Sequence, residues 1–340
     1  MSVFSQLRNK VLGWRHDIPL PASETNLSSI FQSWHQFDPS SNRWLPLDKP
    51  HEASQKSTST DTTPAEDPKL VLATWNVDAG APDSATRISS IISHLQNAVP
   101  PVDIIFLQEV SRTALSTLLA TPWLRENWYT SESDTTNWGV QLFATMTLIA
   151  KPHPDAANKS TPGPIWRVKY PSQFERDALC CDIFLPSSGI KSLSRVRLIN
   201  VHLDSLPIQP SKRPAQLSTA ASYLRAAGRG LVAGDFNPVL PEDDALIKTN
   251  DLQDAWAELR PHEDGFTWGA DRVQQFPANR LDKVAMVGLK GYEIEVMRPG
   301  RCARANTSSQ ERGHGEGDGD SMVWWSDHSG LLFSFGLDSR

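Results

Sequence analysis

Short apolar runs that stop abruptly at polar residues recur along the chain, and these runs locate most of its elements. Leu-Val-Leu-Ala-Thr-Trp-Asn-Val at 70–77 and Asp-Ile-Ile-Phe-Leu-Gln-Glu at 103–109 are too uniformly apolar for half-exposed strands, so both read as buried ones. Between them, Ile88, Ile91, Ile92 and Leu95 recur at helical spacing behind an Asp83-Ser84 start signal. Ser111 opens a second helix with Leu115, Leu118 and Leu119 as its apolar stripe and Pro122 closing it. Further strands are expected at 139–150, 179–185 and 196–203, followed by a helix over 214–227 that stops at Gly228. The remainder reads as strands at 231–237, 281–288, 292–297, 322–327 and 330–335. Strands in succession without helical crossovers argue against a purely parallel, doubly wound sheet. The expectation is one α/β domain over residues 69–340, with about ten strands and a few helices.

Residues 1–68 break this pattern. Phe4, Leu7, Val11 and Trp14 recur at helix-like spacing among Arg8, Lys10 and Arg15, with no acid up to Arg15. A basic tail or a packed amphipathic helix accounts for this, and so does a mitochondrial-type presequence. Phe31, Trp34, Phe37 and Trp44 are too aromatic for a linker and predict a segment that docks on the folded body. Residues 51–69 are Ser, Thr, Pro and Asp, the chemistry of a flexible connection, so the tail is expected to be partly disordered. The Gly-rich stretch 303–321 predicts a mobile insertion between strands, and its acids lack calcium-loop spacing.

Composition excludes several classes. Three cysteines, two of them adjacent at 180 and 181, form neither a disulfide framework nor a metal-ligand pattern, which suits a reducing, intracellular setting. No apolar run is long enough to span a bilayer. A net charge of -6 rules out a molecule basic all over, so any nucleic acid must meet local positive charge. A divalent-cation site also draws in carboxylates.

The strand ends carry the candidate chemistry. One apolar run ends at Asn76 and another at Glu109. A third ends at His202, Asp204 and Ser205, and a fourth at Asp235 and Asn237. Asp282 begins a strand, and Asp327 and His328 precede the last one. A single Gly-Asp-x-Asn is well explained as an Asx turn, but six polar ends converging make a site. The set suits phosphodiester hydrolysis, which needs a cation to neutralise phosphate charge and a base to prepare water. Mg²⁺ prefers oxygen ligands and retains waters, which makes Glu109 the first metal candidate, assisted by Asp327 or Asn76. Asp235 can take a proton from water, and Asn237 can position that water or a phosphate oxygen. His328 beside Asp282 is a histidine a carboxylate can keep protonated, with His202 as a second donor.

The ordered set Thr-Trp-Asn (74–76), Leu-Gln-Glu (107–109), His-Leu-Asp-Ser (202–205), Gly-Asp-Phe-Asn (234–237) and Ser-Asp-His (326–328) resembles the endonuclease/exonuclease/phosphatase superfamily. The resemblance implies a four-layer α/β/β/α sandwich of two mixed sheets flanked by helices. It also implies one Mg²⁺, with Mn²⁺ as a substitute, held by Glu109, nucleophile orientation by Asp235, and transition-state stabilisation by His328 with Asp282 behind it. Within the superfamily, Thr-Trp-Asn-x-Asp (74–78), Phe-Leu-Gln-Glu-Val (106–110), His-Leu-Asp-Ser and Phe266-Thr267-Trp268 resemble the tyrosyl-DNA phosphodiesterase 2 group. That group removes tyrosine adducts from DNA 5′ ends. The likeness implies a nucleic-acid partner, substrate contacts from Ser205, Arg213, Trp268 and Arg176, and a nuclear location. Lys283 stands where an arginine more often follows the aspartate.

A lipid, phosphoinositide or RNA substrate on the same fold is the alternative, and a non-catalytic scaffold is a third reading. The Pro-Ala-Trp-Cys-Asp-Arg signature of inositol phosphatases is not matched at Arg280-Leu281-Asp282, and His-Leu-Asp-Ser stands where sphingomyelinases tend to show His-Thr-Gln. Scaffolds on this fold usually lose the metal glutamate or the histidine, and Glu109 and His328 are both present.

Overall fold

Buried strands pair first with each other, and the two sheets that result hold nearly everything else. The computed structural model describes residues 18–21, 29–47, 68–152, 160–187, 190–270, 276–304 and 322–338. The expected basic helix over 4–14, nearly all of the linker and most of the Gly-rich insertion lie outside these residues.

The strands are β1 (Ser29–Gln32), β2 (His35–Asp38), β3 (Arg43–Pro46), β4 (Leu70–Asn76), β5 (Ile104–Ser111), β6 (Trp128–Thr130), β7 (Phe143–Ala150) and β8 (Thr161–Lys169). They continue with β9 (Asp177–Ser187), β10 (Ile190–His202), β11 (Gly230–Asp235), β12 (Gln253–Asp254), β13 (Asp282–Val287), β14 (Leu289–Met297), β15 (Arg301–Ala303), β16 (Met322–Trp324) and β17 (Gly330–Leu337). The described helices are α1 (Ser84–Gln96), α2 (Arg112–Ala120), α3 (Pro122–Asn127), α4 (Arg213–Ala227), α5 (Leu246–Thr249) and α6 (Ala255–Leu259). One sheet has the order β1-β8-β9-β10-β11-β13-β12, and the other β14-β17-β4-β5-β7-β6-β2-β3. Both are mixed, because β4 runs parallel to β5 and β10 to β11 while their other neighbours are antiparallel.

Alternation along β4 shows how the layers form. Leu70 and Leu72 point between the sheets, where they meet Phe106, Leu198, Leu231 and Phe333. Val71, Ala73 and Trp75 point the other way and pack under Ile88, Ile91 and Ile92 of α1 and Leu115 and Leu118 of α2. On the far sheet, Ile199, Val201 and Val232 face Leu217, Ala220 and Leu224 of α4. Side chains alternate across a strand, so a fully apolar strand needs cover on both faces, and two such sheets give four layers.

Several elements depart from the sequence reading. β8 interrupts its own apolar pattern with Pro162 and Pro164, and its ladder to β9 slips between Pro162 and Ile165, so periodicity hides it. β16 joins only β15, in a separate two-stranded ribbon. The aromatic segment expected to dock forms β1, β2 and β3, which continue both sheets: β1 pairs with β8, and β2 with β6 and β3. Trp34 lies in the core between the sheets and donates its indole N–H to the Gly163 carbonyl at 2.9 Å.

Candidate active site

Strand register assembles the polar ends. Across parallel β10 and β11, His202 faces Asp235, and across antiparallel β11 and β13, Asp235 faces Asp282. Three chemically active residues thus form one row at a sheet edge. A Cβ on Gly234, which has φ +134°, would lie 2.0 Å from the Val201 carbonyl. Only glycine lets β11 come this close to β10 just before Asp235.

The other sheet contributes Asn76 and Glu109. The ladder between β5 and β7 shifts register between Leu107 and Val110, and Glu109 adopts φ 58° within this bulge. Bulges and left-handed non-glycine residues concentrate where a side chain is re-aimed at strain cost. Beneath the site the sheets are tied by amides. Gln108 Nε2 donates to Asn200 Oδ1 at 2.8 Å, and Asn200 Nδ2 donates to the carbonyls of Met146 (2.9 Å) and Leu107 (3.2 Å).

Asn76 sits between the two key carboxylates. Its Nδ2 donates to Asp235 at 3.0 Å and to Glu109 at 3.3 Å, while its Oδ1 accepts the Asp78 N–H at 3.0 Å. Glu109 also accepts the Ala79 N–H at 2.9 Å. His202 Nε2 lies 3.4 Å from Asp235 and 3.7 Å from Glu109. Opposite, His328 Nδ1 is 2.8 Å from Asp282, and its Nε2 is 3.9 Å from Asp235.

Supporting residues hold these groups. Ser326 donates its hydroxyl to the Asn76 carbonyl at 2.6 Å and accepts the His328 N–H at 3.0 Å. Thr267 accepts the Asp282 N–H on its hydroxyl at 3.0 Å and the Ser329 N–H on its carbonyl at 2.7 Å. Trp75 donates its indole N–H to the His328 carbonyl at 3.0 Å. The roles of Gln108 and Ser326 were missed although both stand inside recognisable motifs. Asn200 carries no sequence signal at all.

The electrostatics separate the two histidines. Burial pushes Asp235 up to about 7, opposed by His328 and reinforced by Asp282. Burial also works against a charge on His328, but Asp282 and then Asp235 outweigh it and hold the imidazole protonated well above its ordinary range. His202 is driven the other way by burial, then by Arg176 and His328, and stays neutral. One donor is therefore a cation and the other a neutral ring.

Two donor sets can be weighed for a cation. Asp235, Asp282 and His328 bring ligand atoms within 4.8 Å of one another. The His328 ring is held charged there, and a protonated imidazole has no lone pair for a metal. Glu109, Asp78 and Asp327 offer oxygen alone, the donor type a hard cation prefers. Burial raises the pKa of Asp78, and Asp327 and then Glu109 raise it further against Arg87, whose guanidinium lies 3.8 Å away. Asp78 lies near Asp327 and Glu109, a neighbour the strand-end reasoning passed over.

The remaining candidates divide. Arg176 reaches the site: Asp235 and Glu109 favour its charge against the burial that lowers its pKa. Its guanidinium lies over Phe143 and Phe174, and it donates to Ser205 Oγ at 3.4 Å. With His202 these rings border a cleft of about 220 Å³. Trp268 bridges His328 in backbone pairing and donates its indole N–H to Asp327 at 3.2 Å. Asn237, at φ 46°, donates its side-chain amide to the Leu203 carbonyl at 3.2 Å, and its backbone N–H to Asp235 at 3.0 Å.

Arg213 does not join them. It is 1% exposed, donates to Asp243 at 2.7 Å and to the Asp204 carbonyl at 2.6 Å, and so secures the turn after β10 from inside. Helix spacing placed Arg213 on α4, but the fold turns that face inward. Asp282 does not pair with Arg280 at the surface either. Arg280 forms a fork on Asp254, both contacts at 2.7 Å, and Asp282 is fully buried. Lys283 points away from the histidine, and burial, then Arg280, push it down to about 8.

A sandwich of two mixed sheets flanked by helices, with this polar edge, is the architecture of a phosphodiesterase/phosphatase fold class. The chain belongs to the Endonuclease/Exonuclease/phosphatase family, whose sequence profile matches residues 73–328. No curated protein matches it by sequence. Among solved structures, D. rerio TDP2 complexed with single-strand DNA product is similar at a TM-score of 0.57 and 19% identity, covering 80% of this chain and 100% of that one. TDP2 from C. elegans gives 0.55 and 21%, covering 79% and 75%. A Bacteroides thetaiotaomicron mannosyl-6-phosphatase gives 0.51 and 14%, covering 79% and 100%. At these identities the likeness establishes the fold.

Proposed function

We propose that the protein is a divalent-cation-dependent phosphodiesterase that acts on DNA 5′ ends, with 5′-tyrosyl DNA as its substrate and DNA repair as its setting. The observation that carries this reading is Asn76 held between Glu109 and Asp235, with the charged His328–Asp282 pair across from them. Glu109, with Asp78 and Asp327, would hold Mg²⁺ or Mn²⁺, which when bound neutralises phosphate charge and acts as a Lewis acid. The protein's own groups do the rest. Asp235 in its ionised form accepts a hydrogen bond from the attacking water and aligns it. Asn76 fixes that carboxylate through one hydrogen bond. His328 donates from Nε2 to the oxygen on which charge develops, and Asp282 keeps it protonated. His202 supplies a neutral donor between Glu109 and Asp235.

The choice of substrate rests on the side features. Arg176 over Phe143 and Phe174, beside His202, forms a cationic and aromatic cleft that suits a phenolic leaving group. Trp268, half-buried beside His328, offers a ring on which a base can stack. The TDP2 neighbour with bound single-strand DNA product supports the same choice. A nuclear site of action follows from a DNA substrate. The proposed chemistry calls on no group from a second copy, so the proposal is for a monomer. Among the described residues no helix is long and apolar enough to cross a membrane.

The test is a single-stranded oligonucleotide carrying a 5′-phosphotyrosine, incubated with Mg²⁺ or with EDTA. Metal-dependent release of tyrosine leaving a 5′-phosphate is expected. Hydrolysis of a generic phosphodiester without tyrosine release would keep the chemistry and discard the substrate. Inactivity on both would favour a scaffold.

A further inference from the structure

We infer that a second, arginine-lined cleft on the β2–β3 side binds a single strand of nucleic acid beyond the catalytic edge; the inference rests on the nucleic-acid substrate proposed above. The cleft encloses about 590 Å³ between the β2–β3 hairpin, α2 and residues 133–135. Arg43, Arg112 and Arg125 line it, and Asp134 is its only acid among the described residues. Its charge is therefore opposite to that of the chain as a whole, at -6. Asp134 already accepts the Thr136 N–H at 2.7 Å. Asp38, opposite Arg43 across the hairpin, accepts the hydroxyls of Ser40 and Ser41.

None of the three guanidiniums pairs with a carboxylate among the described residues. Arg112 donates to the Thr135 hydroxyl at 2.8 Å, Arg125 donates to the Leu119 carbonyl at 2.9 Å, and Arg43 is exposed. Arg112 is also the first residue of α2, a helix with no acid in its first turn. A cation at a helix N-terminus is the electrostatically poor choice, and it leaves this end strongly attractive to anions.

The aromatic component selects the partner. The Arg125 guanidinium lies over the Phe37 ring at 4.4 Å, and Phe37 meets Trp44 edge to face at 5.6 Å. Flat guanidinium and aromatic surfaces beside unpaired positive charge suit bases that stack and phosphates that take a fork. An acidic peptide would use the charge but not the rings.

Placement links the cleft to the catalytic edge. α2 starts directly after the strand that carries Glu109, and a single segment runs from residues 133–135, which border this cleft, to 141–145, which border the one beside His202. The hairpin lies outside the residues that the family profile matches, 73–328.

The test measures binding of 5′-phosphorylated oligonucleotides of about 4 and about 16 nucleotides by fluorescence anisotropy, across a salt series in EDTA. The full chain is compared with Arg43→Glu/Arg112→Glu and with the milder exposed-site variant Arg43→Gln. The double variant should bind the long strand roughly tenfold or more weakly, with a salt slope shallower by about 0.7 for each phosphate no longer neutralised, and the short strand unchanged. Arg43→Gln should show the same trend at smaller size with an unaltered melting temperature. Unchanged binding of the long strand in both variants would overturn the inference, and so would arginine-dependent capture of a polyglutamate peptide in preference to the oligonucleotide. Arginine-dependent binding without tyrosine release would fell the proposed reaction and leave the cleft standing. Tyrosine release with arginine-independent binding would do the reverse.

Discussion

Asn76 donates one amide group to two carboxylates on different sheets, Asp235 at 3.0 Å and Glu109 at 3.3 Å. It therefore couples the group proposed to align water to the group proposed to hold a cation. Removal of the amide in Asn76→Ala should lower kcat/KM on the tyrosyl oligonucleotide roughly 10²-fold, the scale of one aligned polar contact in a site. Single-turnover kinetics check this. A loss below about twofold would make Asn76 a strand cap.

In the proposed reaction Asp235, pushed up to about 7 by burial, works only when ionised. A carboxylate with a raised pKa gains its charge as pH rises, so turnover should climb through neutral pH and level off above it. A pH–rate profile tests this, and a flat profile from pH 5.5 to 8.5 would contradict the assignment. Asp235→Asn should abolish the rising limb and cost several kcal/mol in the chemical step. Its stability should stay near that of the parent, because removal of a buried charge offsets loss of the Asn76 bond.

His328 owes its charge to Asp282 and then Asp235, against the opposing pull of burial. Asp282→Asn removes the larger support, so the imidazole should lose its proton at lower pH. The falling, alkaline limb of the rate profile should move toward neutrality, with a rate loss of roughly 10²- to 10⁴-fold. An unmoved limb would show that the pair is structural.

Glu109 is half-buried and is the proposed first ligand of the cation. Mg²⁺ should raise the melting temperature of the parent, since a ligand bound to the folded state stabilises it. Glu109→Gln should fold, lose that rise, and lose metal-dependent turnover. A melting curve still shifted by Mg²⁺ in this variant would move the cation elsewhere.

Arg213 is a buried partner of Asp243 and not a substrate contact. Arg213→Ala leaves Asp243 buried and uncompensated, which costs about 3–5 kcal/mol. Denaturant unfolding should show that loss. A change in KM with unchanged stability would restore the substrate role.

The buried strands and the polar residues at their ends were readable from local pattern, and the expected pairing of His328 with Asp282 is present at 2.8 Å. A fully apolar run must be covered on both faces, and a polar residue at its end has few places to go. Arg213 was misplaced because a likeness in motif carries over residue type and order but not whether the side chain faces solvent in this fold. β8 stayed hidden because prolines broke its period. Asp78 was passed over because it lies two residues beyond a strand end, where a turn explains it equally well.

The sequence by itself determined the family, through five ordered motifs, and the chemical character of each strand end, because those depend on residue type and local period. Only the tertiary structure decided which ends meet. The registers His202–Asp235 and Asp235–Asp282, the bulge that re-aims Glu109, and the amide tie between Gln108 and Asn200 are all non-local. Burial did the rest: two histidines of the same intrinsic basicity became one neutral and one charged because different neighbours surround them.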